Sequence, residues 1–118
     1  MPGSYELSEE TTVAQPVRVV AVSGELDMAA APAFEQRLVE SLSGDEPVIL
    51  DLSAVAFMDS TAIGALISVR KRANMKRGRF ALVCKPGDIR RMIEYTGLDA
   101  AFDVVETRGE ALARLASG

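Results

Sequence analysis

The run PVILDLS, Pro47 to Ser53, is apolar at Val48, Ile49, Leu50 and Leu52, without the strict alternation of a strand that has one wet face. Seven residues are too few for a buried helix, so the run is expected to be a strand covered on both sides. Strands of that kind belong to parallel sheets with helices packed against them. The composition agrees: 48% of the chain is hydrophobic but only 5% aromatic, so the core has to be built from Val, Leu, Ile, Ala and Met. With 118 residues, one compact domain over 1–118 is expected, with residues 1–10 as a mobile lead.

Other segments alternate around that strand. VRVVAVS, Val17 to Ser23, is β-branched and runs into Gly24, and TTVAQ before it is expected to pair as an edge strand. In MAAAPAFEQRLVESLSG, Pro32 suits a first helical turn, Phe34, Leu38 and Leu42 recur every four residues, and Gly44 is the expected stop. A second helix is expected from about Ser60, where Ile63, Leu66, Ile67 and Arg70 have helical spacing. Its basic tail, RKRANMKRGR, reads as a solvated end that complements the helix dipole, with a docking patch as the alternative, and Gly78 closes it. FALVC is the next strand. Pro86, Gly87 and Asp88 then turn into a helix with Ile89, Met92 and Ile93 inward, and Gly97 with Leu98 has the form of a left-handed cap. FDVV is the last strand, and Thr107 with Glu110 makes a capping box for ALARLA. The expected fold is α/β, ordered β-β-α-β-α-β-α-β-α: an open mixed sheet, mostly parallel with an antiparallel edge, with helices packed on it.

Composition narrows function. The formal net charge of −4 disfavours nucleic acid, which needs a basic surface to displace counterions. No apolar stretch is long enough to cross a bilayer, and MPGSYELSEE lacks the basic start and apolar centre of a secretion signal, so no membrane is expected and a cytoplasmic location is. The single Cys84 lies in an apolar run and reads as a buried, inert thiol. The absence of histidine removes Ser-His-Asp and Cys-His catalysis and most zinc sites. No phosphate-cradling glycine loop is present, and no metal, cofactor or catalytic residue is expected.

What remains is the stretch FMDSTAIGAL, which leaves PVILDLS at the carboxyl end of the strand, where sites in such sheets gather. Asp59 and Ser60 are residue types that cap helices by accepting hydrogen bonds from free N–H groups. The same position suits an anion, since amides and the positive end of the dipole would tolerate a phosphate on the Ser60 hydroxyl. A phosphoryl group there adds about −1.5 to −2 charge beside Asp59, near the loop of Glu25 and Asp27.

GELDMAAAPAF, VILDLSAVAFMDSTAIGALI and EYTGLDAAFDV, in this order and spacing from about Val17 onward, resemble the successive blocks of the bacterial anti-sigma factor antagonists, small single-domain members of the STAS family. The resemblance implies a STAS-type sheet and a phosphorylation site at Ser60, directly after Phe57-Met58-Asp59. It also implies partner switching: the unphosphorylated chain binds an anti-sigma factor that is itself a serine kinase, freeing a sigma factor. Phosphorylation releases the kinase, and a metal-dependent protein phosphatase resets the chain. Contacts are expected from Asp27, Met58, Asp59, Thr61, Ile63 and Gly64. The sequence departs from the family pattern at Ala62, where a glycine is common; alanine favours the helix by about 1 kcal/mol and is expected to add a methyl to the docking face.

Two other readings stand beside this one. A STAS scaffold of a larger sensory complex would bind its partner whatever the state of Ser60. A receiver domain phosphorylated on aspartate would use Glu25 and Asp27 for magnesium, Asp51 as acceptor and Lys85-Pro86 as its late lysine and proline, although in a receiver that lysine ends a later strand.

Overall fold

The computed structural model describes residues 5–12, 16–75, 79–98 and 103–117. Along the chain run β1 (Tyr5–Thr11), β2 (Arg18–Leu26), α1 (Ala31–Ser41), β3 (Val48–Met58), α2 (Ser60–Met75), β4 (Phe80–Val83), α3 (Asp88–Tyr95), β5 (Asp103–Val105) and α4 (Arg108–Ser117), in the expected order. The strands form one sheet in sequential order β1-β2-β3-β4-β5, antiparallel between β1 and β2 and parallel elsewhere. A receiver sheet is ordered 2-1-3-4-5, so this topology overturns the receiver reading.

β3 is covered on both sides, as its composition requires. Val48, Leu50 and Leu52 join Phe34 and Leu38 of α1, Leu66 and Val69 of α2 and Ile93 of α3 on one face. Ile49 joins Val17, Val19, Ala81, Val83 and Val105 beneath Ala111 and Leu115 of α4 on the other. Burying each large aliphatic side chain stabilises the fold by about 1.5–3 kcal/mol before entropy is counted. Cys84 is buried within this core, and burial above all pushes its thiol pKa up, against the counter-influence of Arg90.

The edge strand lies earlier than expected. Tyr5 and Leu7 turn toward the core while Glu6, Ser8, Glu9 and Glu10 stay exposed, so β1 occupies the stretch read as a mobile lead; residues 13–15 of TTVAQ lie outside the described residues. Its acid-rich outer side suits an unpaired edge, because charge discourages further strands. β3 is also longer than PVILDLS. Only Val48 to Asp51 pair with β4, while the strand continues along β2 to Met58. Along that extension β3 twice uses one residue more than β2, between Asp51 and Ala54 and between Val55 and Phe57. Gly24, at φ 92° in the left-handed region, lies at the second irregularity.

Helix ends follow local chemistry. The Glu110 N–H donates to the Thr107 hydroxyl at 3.1 Å, and that hydroxyl donates to Glu110 Oε1 at 3.3 Å, so the expected capping pair meets side chain to side chain. Gly97 has φ 77° and Leu98 is buried behind it, as a left-handed cap requires. α1 stops at Ser41, before Gly44, and Gly78 and Phe102 lie outside the described residues.

Asp51 carries the polar tie between the sheet and α4. Its carboxylate accepts from the Ser53 N–H at 2.9 Å, from the Ser53 hydroxyl at 2.6 Å and from Arg108 Nε at 2.7 Å, and Arg108 Nη1 reaches Glu10 at 2.9 Å. Burial by itself would raise the Asp51 pKa, but the Ser53 and Arg108 bonds together outweigh it and hold the carboxyl below its usual range. Asp51 is thus ionised more readily in the fold than in the unfolded chain. Its contribution is complete above the unfolded carboxylate pKa of about 4 and fades as pH falls through the lower folded value. Replacing Asp51 with Asn is expected to cost about 2 kcal/mol in urea unfolding at pH 7, and to flatten the acid side of the stability curve relative to wild type.

Candidate functional site

The extension of β3 delivers its last residues to the carboxyl edge of the sheet, next to the loop that leaves β2. Asp59 joins the two. Its N–H donates to the Leu26 carbonyl at 3.2 Å, and its own carbonyl accepts the Ile63 N–H at 3.1 Å, opening α2. Its Oδ1 accepts the N–H groups of Thr61 at 3.0 Å and Ala62 at 3.1 Å and also the Thr61 hydroxyl. Asp59 is therefore the N-cap and Ser60 the first helical residue. The Thr61 hydroxyl above all, with the N–H groups of Ala62, Thr61 and Met28, outweighs desolvation and holds the Asp59 carboxyl below its usual range.

Ser60 is exposed, and among the described residues nothing hydrogen-bonds its hydroxyl. The helix-tip amides expected to welcome an anion are partly taken: those of Thr61 and Ala62 belong to Asp59.

Asp27 does similar work across the loop. Its Oδ1 accepts the N–H groups of Ala29 and Ala30, both at 3.1 Å, and its carbonyl accepts those of Ala30 and Ala31 at 3.1 and 3.0 Å. This turn holds Met28 outward with 70% of its surface exposed, and Phe57 at the end of β3 is 48% exposed. Neither is among the expected contacts, although Phe57 opens the stretch FMDSTAIGAL.

The remaining expected contacts divide. Thr61 and Gly64 are exposed on α2, and a Cβ built on Gly64 would meet nothing within 4 Å. Met58 and Ile63 are only 2% and 4% exposed, so direct contact by their side chains is corrected to support from beneath. The expectation that Ala62 adds a methyl to the docking face is corrected too, because Ala62 is fully buried. Lys71 and Arg72 are exposed farther along α2.

The receiver-type acids do not converge, since Asp51 is engaged by Ser53 and Arg108 while Asp27 holds the β2–α1 turn. Among the described residues no group of three His, Cys, Asp or Glu side chains could hold a metal ion, and no helix is long and apolar enough to cross a membrane.

Gly64 is a helix-interior glycine with free space around it, so Gly64→Ala is expected to stabilise the isolated chain by about 0.5–1 kcal/mol in urea unfolding. Asp59→Ala removes the cap and is expected to lower the thermal midpoint by several degrees, where Asp59→Asn largely preserves it.

Comparison with known proteins agrees with this architecture. The anti-sigma-F factor antagonist RsfB of Mycobacterium tuberculosis is 31% identical over 104 residues, covering 86% of this chain and 84% of that protein. The crystal structure of an anti-sigma factor antagonist from Mycobacterium paratuberculosis superposes with a TM-score of 0.85 at 35% identity, covering 97% of this chain and 96% of the other. The Bacillus cell fate determinant SpoIIAA in its phosphorylated form shares the fold, with a TM-score of 0.69 at 22% identity over 93% of this chain and 99% of that one. The STAS domain model matches residues 9–111, and the chain belongs to the STAS domain family.

Proposed function

We propose that this chain is a single-domain anti-sigma factor antagonist: unphosphorylated, it binds an anti-sigma factor serine kinase and so frees a sigma factor, and phosphorylation of Ser60 ends the binding. The similar proteins from the two mycobacteria are named anti-sigma factor antagonists, which supports an anti-sigma factor as the partner. A metal-dependent protein phosphatase would restore the binding form. The observation that carries the reading is the Ser60 hydroxyl, exposed and, among the described residues, unbonded on the first turn of a helix capped by its neighbour.

The chain need supply little chemistry. In phosphoryl transfer the kinase positions the nucleotide, the magnesium and the base that takes the hydroxyl proton, so the substrate protein has only to present an accessible oxygen. Ser60 does that. Asp59 fixes where the oxygen stands, and Met28, whose N–H reaches Asp59, with Thr61 and Gly64 on α2, offers an exposed surface near it. Asp27 holds Met28 in that surface, and Met58 and Ile63 support it from below.

The effect of phosphate follows from charge. About −1.5 to −2 units arrive next to the Asp59 carboxylate, while two of the nearest helix amides are already committed to that carboxylate. The new charge faces outward, into the space the partner would fill. An uncompensated charge in an interface costs about 2–5 kcal/mol, and 1.4 kcal/mol is tenfold in affinity, so one phosphate weakens binding about 30-fold or more.

Ser60→Ala is expected to bind the kinase and to stay bound when ATP is added, while Ser60→Asp binds about 30-fold more weakly; equal affinities for the two would instead favour a scaffold that ignores Ser60. Gly64→Ala, more stable alone, is expected to bind more weakly, because its added methyl would stand on the exposed surface proposed for the partner. Isothermal titration with the purified kinase measures all three.

A further inference from the structure

Two adjacent hydroxyls open α2, and their surroundings differ. Ser60 is exposed and unbonded among the described residues. Thr61 is exposed as well, but its hydroxyl donates to Asp59 Oδ1, the same oxygen that holds the N–H groups of Thr61 at 3.0 Å and Ala62 at 3.1 Å. One carboxylate oxygen thus ties the backbone and the side chain of Thr61 together. Leu26 fixes Asp59 in turn, accepting its N–H at 3.2 Å, so the clamp stands on the sheet edge and not on a free loop.

We propose that Asp59 is the positioning residue that selects the phosphorylated hydroxyl, sequestering Thr61 so that Ser60 alone is offered to the kinase. The proposal rests on Ser60 being the switch described above. Transfer forms a bond between the acceptor oxygen and the γ-phosphorus of ATP, breaks the bond from that phosphorus to the bridging oxygen, and leaves ADP with the electron pair. The hydroxyl proton passes to a base of the kinase. For Ser60 no hydrogen bond among the described residues opposes these steps. For Thr61 the proton already points at Asp59, and the oxygen is turned back toward the cap by a β-branched side chain with few rotamers.

Swinging the Thr61 oxygen into line with a γ-phosphate means breaking a hydrogen bond to a charged acceptor, which slows transfer about 10-fold to 100-fold relative to an unbonded hydroxyl. Asp59 is a poor substitute for the kinase base, because the same bonds that hold it keep its carboxyl ionised below the usual range. The device explains why a switch that needs one charge can carry two neighbouring hydroxyls. It also assigns the Asp59 carboxylate a task beyond capping, since a serine or asparagine would cap equally well.

The test is phosphopeptide mapping by tandem mass spectrometry after incubation with the purified anti-sigma factor kinases of the same genome, ATP and magnesium. Wild type is expected to carry phosphate on Ser60, and Ser60→Ala none on Thr61. Ser60→Ala combined with Asp59→Ala, checked for kinase binding, is expected to gain phosphothreonine at least tenfold above the single variant. Thr61 modified in wild type or in Ser60→Ala, or a double variant that binds the kinase yet stays bare, overturns the selection. A measurement without kinase guards against a double variant that fails to fold: in wild type, the Thr61 hydroxyl proton is expected to exchange with water at least tenfold more slowly than that of Ser60 by nuclear magnetic resonance. Equal exchange overturns the clamp. Wild type left bare by every kinase overturns the phosphoswitch and the selection with it, while the exchange rates still report whether the clamp exists.

Discussion

The contact on which the surface depends is the Asp59 carboxylate on the first turn of α2. A helix end without a cap frays, and a frayed α2 would let Ser60 wander over several ångströms. With Asp59 in place, three donors converge on one oxygen and a fourth bond runs to Leu26 of β2. The helix start is thereby registered to two strands at once. The core beneath completes the support: Met58, Ala62 and Ile63 are buried directly under the exposed residues, so the surface rests on packed side chains and not on a loop.

β3 explains why that surface is where it is. Its first half is locked between β2 and β4, and its second half runs on alone along β2. The two irregularities absorb extra residues of β3, so that Met58 pairs with Leu26 and Asp59 meets the start of the β2–α1 turn beyond the reach of β4. A site at the carboxyl edge of parallel strands is ordinary; here it is built by overhang. Earlier in the same strand, Asp51 bonds Arg108 and ties α4 to the sheet, so one acid within β3 holds a helix and the acid at its exit caps the next one.

Much of this was legible in the residues. The nearly continuous apolar run of β3, the fourfold spacing of Phe34, Leu38 and Leu42, the Gly97-Leu98 pair and Thr107 with Glu110 each encode a local outcome through burial or capping, and each appears as expected. The misses share a cause: they depend on pairing across the sheet. β1 is rich in acids, and only the alternation of Tyr5 and Leu7 against β2 makes it a strand. The continuation of β3 through Ala54 to Met58 is decided by β2, which no local pattern reveals. The exposure of Met28 depends on the Asp27 turn, and the burial of Met58 on the pairing of β3 and of Ala62 and Ile63 on the facing of α2. The hydroxyl chemistry was half legible: the cap was readable from Asp59 and Ser60, but its engagement of Thr61 was not.

Partner affinity of one protein in two charge states tests the central claim most directly. Chain phosphorylated to completion on Ser60 and chain left unmodified would be titrated against the same anti-sigma factor kinase at physiological salt. The account predicts a dissociation constant about 30-fold or more higher for the phosphorylated form, with both forms unfolding at similar temperatures. Equal dissociation constants would contradict it.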